Sequence, residues 1–202
     1  MALVVVGGHS RNVGKTSVVA GLIAALSERA WTAVKITQYG HGVCSVNGEA
    51  CGCADDEHQW SITEESDAAS GKDTARYLAA GAKRSLWVRT KQGRLAEAMP
   101  ELRRELEGAG NVIIESNSVL RFLRPDLYLT VLDPGTADFK ESAREFLDRA
   151  DAVLLHGRNG DPEWERVSLK PVAGAPVFRI APPAYVTPEV VEFVRQRLAV
   201  AA

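Results

Sequence analysis

The chain contains 202 residues, of which 46% are hydrophobic and 25% are charged, and its formal net charge at pH 7 is −2. This length suffices for one domain with a sizeable core. The near-neutral charge argues against nucleic acid as a partner, and no apolar run approaches the roughly 18 residues that a membrane-spanning helix needs. We therefore expect one domain over residues 1–202 that binds neither nucleic acid nor a membrane.

The start of the chain and its cysteines indicate the compartment. An apolar strand begins at residue 2 and leads directly into a glycine-rich turn, so we expect no signal peptide. The three cysteines are an odd number, which argues against a disulfide framework. Both features favour a cytoplasmic protein.

Short apolar runs alternate with amphipathic stretches along most of the chain. The predicted strands are 2–6, 31–36, 84–89, 111–115, 127–132, 152–156 and 176–180. The predicted helices are 15–29, 72–81, 94–107, 138–149 and 188–199. This alternation favours an α/β fold, with a mostly parallel, doubly wound sheet of about seven strands and helices on both faces. Ligands of such sheets bind at the carboxyl ends of the strands.

The turn after the first strand has the composition of a phosphate-binding loop, or P-loop, and ends in Gly14-Lys15-Thr16. Five residues separate Gly8 from Gly14, one more than in the common pattern, but the flanking strand and helix fall where a P-loop requires them. Backbone N–H groups of such a loop surround phosphate oxygens, the lysine approaches the β- and γ-phosphates, and the hydroxyl binds Mg²⁺. The positive helix N-terminus adds to the attraction.

We therefore predict that a nucleoside triphosphate binds along this whole turn, although an ordinary turn that happens to contain Gly-Lys-Thr is the alternative. The predicted nucleotide contacts in the turn are Gly8, His9, Ser10, Arg11, Asn12, Val13, Gly14, Lys15, Thr16 and Ser17.

Three charged residues outside the turn are candidates for the same site. Glu115 ends a buried strand, where P-loop proteins place the carboxylate that holds Mg²⁺ or its water shell, so we pair it with Thr16 as a magnesium ligand. Lys35 lies in an otherwise apolar strand and must reach a partner or the strand end. Asp73 begins a predicted helix, where an acid also serves as an ordinary first-turn residue. Lys15, Thr16 and Glu115 are the predicted catalytic residues.

Residues 38–71 show no convincing periodicity, and we predict an irregular insertion there. The segment contains all the cysteines of the chain and two of its four histidines, namely His41, Cys44, Cys51, Cys53 and His58. Thiolate and imidazole are ligands that select Zn²⁺ or an iron–sulfur cluster. The single glycine between Cys51 and Cys53 matches no standard zinc finger, so an irregular loop without metal is the alternative. A metal site shared between two subunits is a further alternative.

The base of the nucleotide stays open at this point. Guanine-specific P-loop proteins usually carry Asn-Lys-x-Asp after a late strand, and residues 156–161 match that motif poorly. Residues 181–185, after the last predicted strand, are a candidate wall for a base pocket. Either GTP or ATP therefore fits the sequence.

The glycine spacing of the turn resembles that of dethiobiotin synthetase and cobyrinic acid synthase, within the signal-recognition/MinD-like (SIMIBI) class of P-loop NTPases. The segments 32–35, 71–76 and 80–82 resemble the molybdopterin-guanine dinucleotide biosynthesis protein B (MobB) family, in which a Val-Lys strand end precedes Gly-Lys-Asp-(Ser/Thr) and Ala-Gly-Ala. This resemblance implies a GTP-binding, Mg²⁺-dependent homodimer that assists nucleotide attachment to the molybdenum cofactor, with Glu115 as its acid.

Three functional hypotheses follow from these features. The first is an NTPase with an accessory role in cofactor biosynthesis, or a small-molecule kinase or ligase, in which the P-loop and Glu115 organise Mg-nucleotide. The second is a switch or metallochaperone that carries a metal on its cysteine-histidine segment to a client protein. The third is a degenerate domain that binds nucleotide and only scaffolds a partner. The second substrate or client stays unspecified.

Overall fold

The computed structural model describes residues 1–39, 60–157 and 161–200, and in them eight strands form one sheet. The strands are β1 (Ala2–Gly8), β2 (Trp31–Tyr39), β3 (Trp60–Glu64), β4 (Arg84–Lys91), β5 (Asn111–Glu115), β6 (Leu127–Leu132), β7 (Ala152–His156) and β8 (Val177–Ile180). Their order across the sheet is β3-β4-β2-β5-β1-β6-β7-β8. All neighbours are parallel except β3, which pairs antiparallel with β4 at one edge. The predicted α/β class and mostly parallel sheet are confirmed.

Helices cover both faces of the sheet. They are α1 (Lys15–Ala25), α2 (Asp73–Ala79), α3 (Leu95–Glu105), α4 (Glu141–Glu145) and α5 (Pro188–Val200). Buried residues of α1 and α5 pack with Val4 and Val6 of β1 in one core cluster, whereas those of α3 pack with Val5 in the other. Successive side chains of a strand point to opposite faces, so an uninterrupted apolar run such as 2–6 marks a strand that is buried on both sides.

Two sequence predictions need correction. The sheet has one strand more than expected, because β3 lies within the segment predicted to be irregular. The alternation of apolar residues in β3 consists of Trp60 and Ile62 alone. Their partners on β4, Thr90 and Val88, are distant in sequence. A five-residue edge strand is therefore specified more by pairing than by its own pattern.

The helix predicted over 138–149 is also shorter, with α4 limited to Glu141–Glu145 and a 3₁₀ turn over Leu147–Arg149. Residues before α4 are extended instead, since the backbone N–H of Lys140 donates to the carbonyl of His9 (2.8 Å). Contact with the glycine-rich turn thus displaces the start of the helix.

The register of the central strands brings the carboxyl ends of β1, β2 and β5 together. Glu115 of β5 lies opposite Val6 of β1 on one side and opposite Lys35 of β2 on the other. The glycine-rich turn begins at the end of β1, so this carboxylate and this ammonium lie beside it. No helix within the described ranges is long and apolar enough to cross a membrane.

Candidate functional site

A cleft of about 530 Å³ opens at the carboxyl ends of β1, β2, β4 and β5. It lies beside the N-terminus of α1 and beside α2. The predicted site residues that line it are Arg11, Asn12, Gly14, Lys15, Thr16, Ser17, Lys35, Asp73 and Glu115. The structure therefore brings together residues from four separate parts of the sequence.

The loop between β1 and α1 has two residues with left-handed backbone conformation, Asn12 (φ 57°) and Gly14 (φ 93°). Gly14 is also the N-cap of α1, and no side chain caps the helix. The first N–H groups of a helix have no intrahelical acceptor, so those of α1 remain available to an anion. This is the backbone arrangement by which helix N-termini bind phosphate.

Asn117, which follows β5, holds the start of this loop in place. Its side-chain oxygen accepts a hydrogen bond from the N–H of Gly8 (2.9 Å), and its amide nitrogen donates to the Gly8 carbonyl (2.9 Å). A Cβ atom on the preceding Gly7 would lie 2.1 Å from that oxygen. No pattern in the sequence predicted this role of Asn117, because a contact across 109 residues leaves no local signal.

His9 has a supporting role in the loop. Its Nδ1 bonds the Asp138 carbonyl (2.8 Å), while Nε2 accepts from the N–H of Asp133 (3.0 Å), which requires the neutral ring with a proton on Nδ1. The ring is fully buried against Phe139 and Trp164, and this burial lowers its pKa. Of the predicted loop contacts, His9 can therefore reach an anion only through its backbone.

Three other loop residues that the sequence assigned to nucleotide binding do not line the cleft. Gly8 is tied to Asn117, and the Ser10 hydroxyl donates to the Asp138 carboxylate (2.5 Å). Val13 is buried, and its carbonyl bonds Nε2 of His156 (2.9 Å). These residues shape the loop, and any contact they make with a nucleotide is through main-chain atoms.

The Lys15 ammonium lies across the loop and donates to the Ser10 carbonyl (2.5 Å). Burial lowers the pKa of Lys15 to about 8, against the opposing attraction of Glu115. A phosphate group in the loop would offer this ammonium a charged acceptor in place of a neutral carbonyl, and hydrogen bonds to charged groups are the stronger ones.

Glu115 is the centre of a polar cluster beside the loop. Its Oε2 accepts hydrogen bonds from the Thr16 hydroxyl (2.7 Å) and from the Tyr77 hydroxyl, and its Oε1 lies 3.1 Å from the Lys35 ammonium. Glu115 is 6% exposed, so these contacts compensate for a nearly complete loss of water. Burial, together with this carboxylate, raises the pKa of Tyr77, which therefore stays a hydrogen-bond donor.

Lys35 joins this cluster to α2. Its ammonium forms an ion pair with Asp73 as well as Glu115, and it lies 3.3 Å from the Thr16 hydroxyl oxygen. Burial acts to lower the pKa of Lys35, but the attraction of the two carboxylates outweighs it and the pKa is raised. The side chain therefore stays positively charged among three oxygen-bearing side chains.

Thr16, Asp73 and Glu115 form a donor set that suits Mg²⁺. They supply one hydroxyl and two carboxylates, the hard oxygen ligands that this ion prefers. The ammonium of Lys35 lies among the same oxygens, which shows that they already accommodate a positive charge. The sequence paired Thr16 with Glu115 for this ion, and the structure adds Asp73 beside them.

Lys140 and Tyr185 also line the cleft, from two other parts of the chain. Lys140 lines it near Arg11, and burial, with a smaller effect from Arg11, lowers the pKa of Lys140. Tyr185 packs against Gly14, where a Cβ atom would lie 2.2 Å from its ring. Tyr185 belongs to the stretch that the sequence suggested as a wall of a base pocket. Lys140 was hidden because its segment was predicted to be helical.

The predicted metal ligands of the cysteine-histidine segment lie outside the described residues. They are His41, Cys44, Cys51, Cys53 and His58. Within the described ranges there is no group of three or more His, Cys, Asp or Glu side chains that could hold a metal. A zinc or iron–sulfur site therefore stays a prediction from the sequence.

The solved structures to which the chain is distantly similar include HypB and LpxK. HypB from Helicobacter pylori, in complex with nickel, is 16% identical over 98% of this chain and 86% of that chain, with a TM-score of 0.49. LpxK from Aquifex aeolicus, in complex with ATP, is 19% identical with a TM-score of 0.49; the similarity covers 89% of this chain and 53% of LpxK, about half of its length. No protein-family model and no curated protein matches the chain. The described residues have an α/β fold, with a mostly parallel sheet and a glycine-rich loop between β1 and α1.

Proposed function

We propose that this protein binds a Mg-nucleoside triphosphate, GTP or ATP, and cleaves the bond to its γ-phosphate. One observation carries the proposal: the loop with Lys15 and the oxygen cluster of Thr16, Asp73 and Glu115 face the same cleft. Anion-binding backbone on one side and cation-binding oxygens on the other suit the triphosphate and its metal ion respectively.

The chain's own residues have separate roles in this reaction. The N-terminal N–H groups of α1 and the Lys15 ammonium would hold the phosphates, and Thr16 and Glu115 would hold Mg²⁺, with Asp73 beside them. Mg²⁺, when bound, neutralises charge on the β- and γ-oxygens. Lys35 adds a second ammonium among the oxygens of Thr16, Asp73 and Glu115. Catalysis is then mainly positioning and charge stabilisation.

The pathway is proposed more specifically from the sequence motifs. The resemblance of residues 32–35, 71–76 and 80–82 to the MobB family favours an accessory role in molybdenum cofactor biosynthesis, as a cytoplasmic homodimer. Residues of the first two segments, among them Lys35 and Asp73, line the cleft, which supports this proposal. Incubation with nucleotide and molybdopterin, followed by mass spectrometry of the products, tests this role directly.

A second candidate function is phosphoryl transfer to a small molecule, as in dethiobiotin synthetase. The extent of the cleft favours it, because the cleft continues past Lys35 to Thr37, Gln38 and Trp87, beyond the loop that holds phosphates. A nucleotide and metabolite screen of the purified protein by mass spectrometry would identify both the base and the acceptor. Turnover that rises with an added acceptor supports this function over simple hydrolysis.

The metallochaperone alternative depends on the cysteine-histidine segment. Metal analysis of untagged protein, purified anaerobically under reducing conditions, separates it from the enzyme. Stoichiometric zinc or iron that is lost in Cys51→Ser and Cys53→Ser supports a metal site on that segment. Protein without metal after such handling counts against it.

Replacement of the loop lysine tests nucleotide binding. We expect Lys15→Ala to abolish calorimetrically detectable binding of Mg-GTP and Mg-ATP, since it removes the ammonium that faces the phosphates. In the unchanged protein, nucleotide at 100 times its Kd should add about 2.7 kcal/mol to the unfolding free energy, and this gain should vanish in the variant.

The matched control is Lys83→Ala, which removes one positive charge from an exposed position outside the cleft. Its nucleotide affinity should equal that of the unchanged protein. Equal affinity in Lys15→Ala would contradict the proposed phosphate site.

A further inference from the structure

The sheet carries a polar face next to the phosphate site. On β2 and β4, Lys35 lies opposite Trp87, and Thr37 lies opposite Arg89. Side chains two apart on a strand share a face, so Trp87 and Arg89 extend the face on which Lys35 meets the oxygen cluster. The alternating residues Leu86 and Val88 are buried in the core on the opposite face.

A second pocket of about 330 Å³ lies on this face, towards the β3 edge. Arg89 lines it, and it shares Lys72, Thr74 and Trp87 with the main cleft. The two spaces are therefore neighbours with a common wall. The hydrogen bond from Trp87 Nε1 to the Thr37 hydroxyl (3.0 Å) fixes the indole ring in that wall.

Arg89 has an unusual environment for an arginine. Its guanidinium lies over the Trp87 ring, 4.7 Å from the ring centroid, and its buried Nε finds no hydrogen-bond partner among the described residues. By contrast, Arg84 of the same strand pairs with Glu64 and Glu105. A buried donor without an acceptor costs about 1–3 kcal/mol, so such a group indicates an acceptor that arrives from outside.

The acidic residues of this pocket are already engaged. Glu64 is paired with Arg84. Glu65 accepts hydrogen bonds from Ser70 and Thr74 and lies 3.5 Å from the Lys72 ammonium. These contacts leave the charge of Arg89 uncompensated by the pocket's own carboxylates, and a planar guanidinium binds carboxylate or phosphate through paired N–H groups.

We infer that Arg89, stacked on Trp87, binds the anionic group of a second, small-molecule substrate. This inference rests on the function proposed above and adds the chemical class of the acceptor. Arg89 is two residues along its strand from the position opposite Lys35, a distance of roughly 7 Å at about 3.3 Å per residue. A molecule anchored at Arg89 by a carboxylate or phosphate would therefore reach the phosphate site with its other end.

Calorimetric titration with small anions tests the inference. The probes are malonate, succinate and glutarate for carboxylates, and inorganic phosphate and glycerol 3-phosphate for phosphates. The titrations use protein whose loop is filled with a Mg-imidotriphosphate analogue and, separately, Lys15→Ala, so that the loop itself does not bind the probe. Comparison of the affinities of the carboxylate probes with those of the phosphate probes identifies which anion is preferred.

We expect one series to bind with a stoichiometry of one, and Arg89→Gln to weaken that binding by about 10- to 100-fold, as for loss of a charged hydrogen bond. Arg89→Lys, which keeps the charge but loses the paired N–H groups, should show a smaller loss of anion affinity. This variant replaces Arg89→Gln in the test if Arg89→Gln does not fold. Nucleotide affinity should not change in either variant, since Arg89 does not line the nucleotide cleft.

The matched control is Arg94→Gln, which removes an exposed arginine paired with Glu97 just beyond β4. Anion affinity should not change in this variant. The inference is overturned if no probe binds the unchanged protein, if Arg89→Gln and Arg89→Lys bind anions as well as it does, or if Arg94→Gln shows the same loss. Failure of nucleotide to bind would overturn the proposed function instead, and the Lys15→Ala titrations would still decide the role of Arg89.

Discussion

Lys35 is the counter-ion of the carboxylates in the candidate site. It lies where a cation is needed, between Asp73, Glu115 and the Thr16 hydroxyl, and its side chain is only 18% exposed. Without it, the buried Glu115 would lose the ammonium that contacts its carboxylate directly. The lysine thus stabilises the carboxylates before ligands arrive, and Mg²⁺ must displace its ammonium from them.

We expect Lys35→Met to lower the unfolding free energy in EDTA by about 3 kcal/mol, because a buried carboxylate loses its counter-ion. Millimolar Mg²⁺ without nucleotide should restore much of this loss in the variant and change the unaltered protein little. Urea denaturation with EDTA and with Mg²⁺ measures both effects. The control is Lys72→Met, whose half-exposed ammonium pairs with Glu65 and should matter by less than about 1 kcal/mol. A Lys35→Met protein that is as stable as the control and indifferent to Mg²⁺ would contradict this role.

At the scale of the element, the loop between β1 and α1 is held from three sides. Asn117 after β5 binds Gly8, the chain before α4 binds His9 and Ser10, and Tyr185 after β8 packs on Gly14. The absence of a Cβ atom on Gly14 is what allows the ring of Tyr185 so close. The helix N-terminus is thereby presented to the cleft by contacts that come from the whole second half of the chain.

Gly14→Ala should therefore be costly for two separable reasons. The left-handed conformation costs an alanine about 1–2 kcal/mol, and the new Cβ would also collide with Tyr185. Gly108→Ala is the control, since Gly108 is left-handed (φ 77°) with nothing within 4 Å of a Cβ atom, so only the first cost applies there. Chemical denaturation should show a larger loss of unfolding free energy for Gly14→Ala than for Gly108→Ala. When both substitutions are made in a Tyr185→Ala protein, the difference between the two losses should be smaller. Equal losses of unfolding free energy at the two glycines would show that the Tyr185 ring moves away from the new Cβ atom without cost.

At the scale of the whole molecule, His9 links distant parts of the chain. It joins the loop to residues 133–138 by two ring hydrogen bonds and packs against Phe139 and Trp164. The bond that Nε2 accepts requires the neutral ring, and burial lowers the pKa of His9 below the usual value of 6.5. The unfolded chain then takes up a proton at His9 at a higher pH than the folded protein does.

This difference makes global stability depend on pH. The contribution of His9 should be fully present above pH 6.5 and should be lost as the pH falls through 6.5 towards the folded pKa, with a slope of at most about 1.4 kcal/mol per pH unit. His9→Gln should be less stable at neutral pH and should lack this component below pH 6.5. Denaturation of both proteins across pH 5–8 measures it. Parallel pH profiles would mean that His9 is not held neutral.

The predictability of the site differs from residue to residue for a physical reason. Lys15, Thr16 and Glu115 could be predicted because strand, turn and helix signals are local and because Glu115 ends an apolar run. Tyr77, Asn117 and Lys140 could not, since each acts through a partner at least 38 residues away in sequence. Likewise β3 is too short for its own alternation to predict it.

The amino-acid sequence alone determined the alternating α/β architecture and the glycine-rich turn before α1, because periodicity, glycine placement and strand-end charges are properties of neighbouring residues. Only the tertiary structure decided that Lys35 and Asp73 join the cluster of Glu115, that His9 faces away from the cleft, and that Arg89 lies buried on Trp87 without an acceptor among the described residues. Those facts depend on strand register and on the closing of long loops, which no short window of sequence contains.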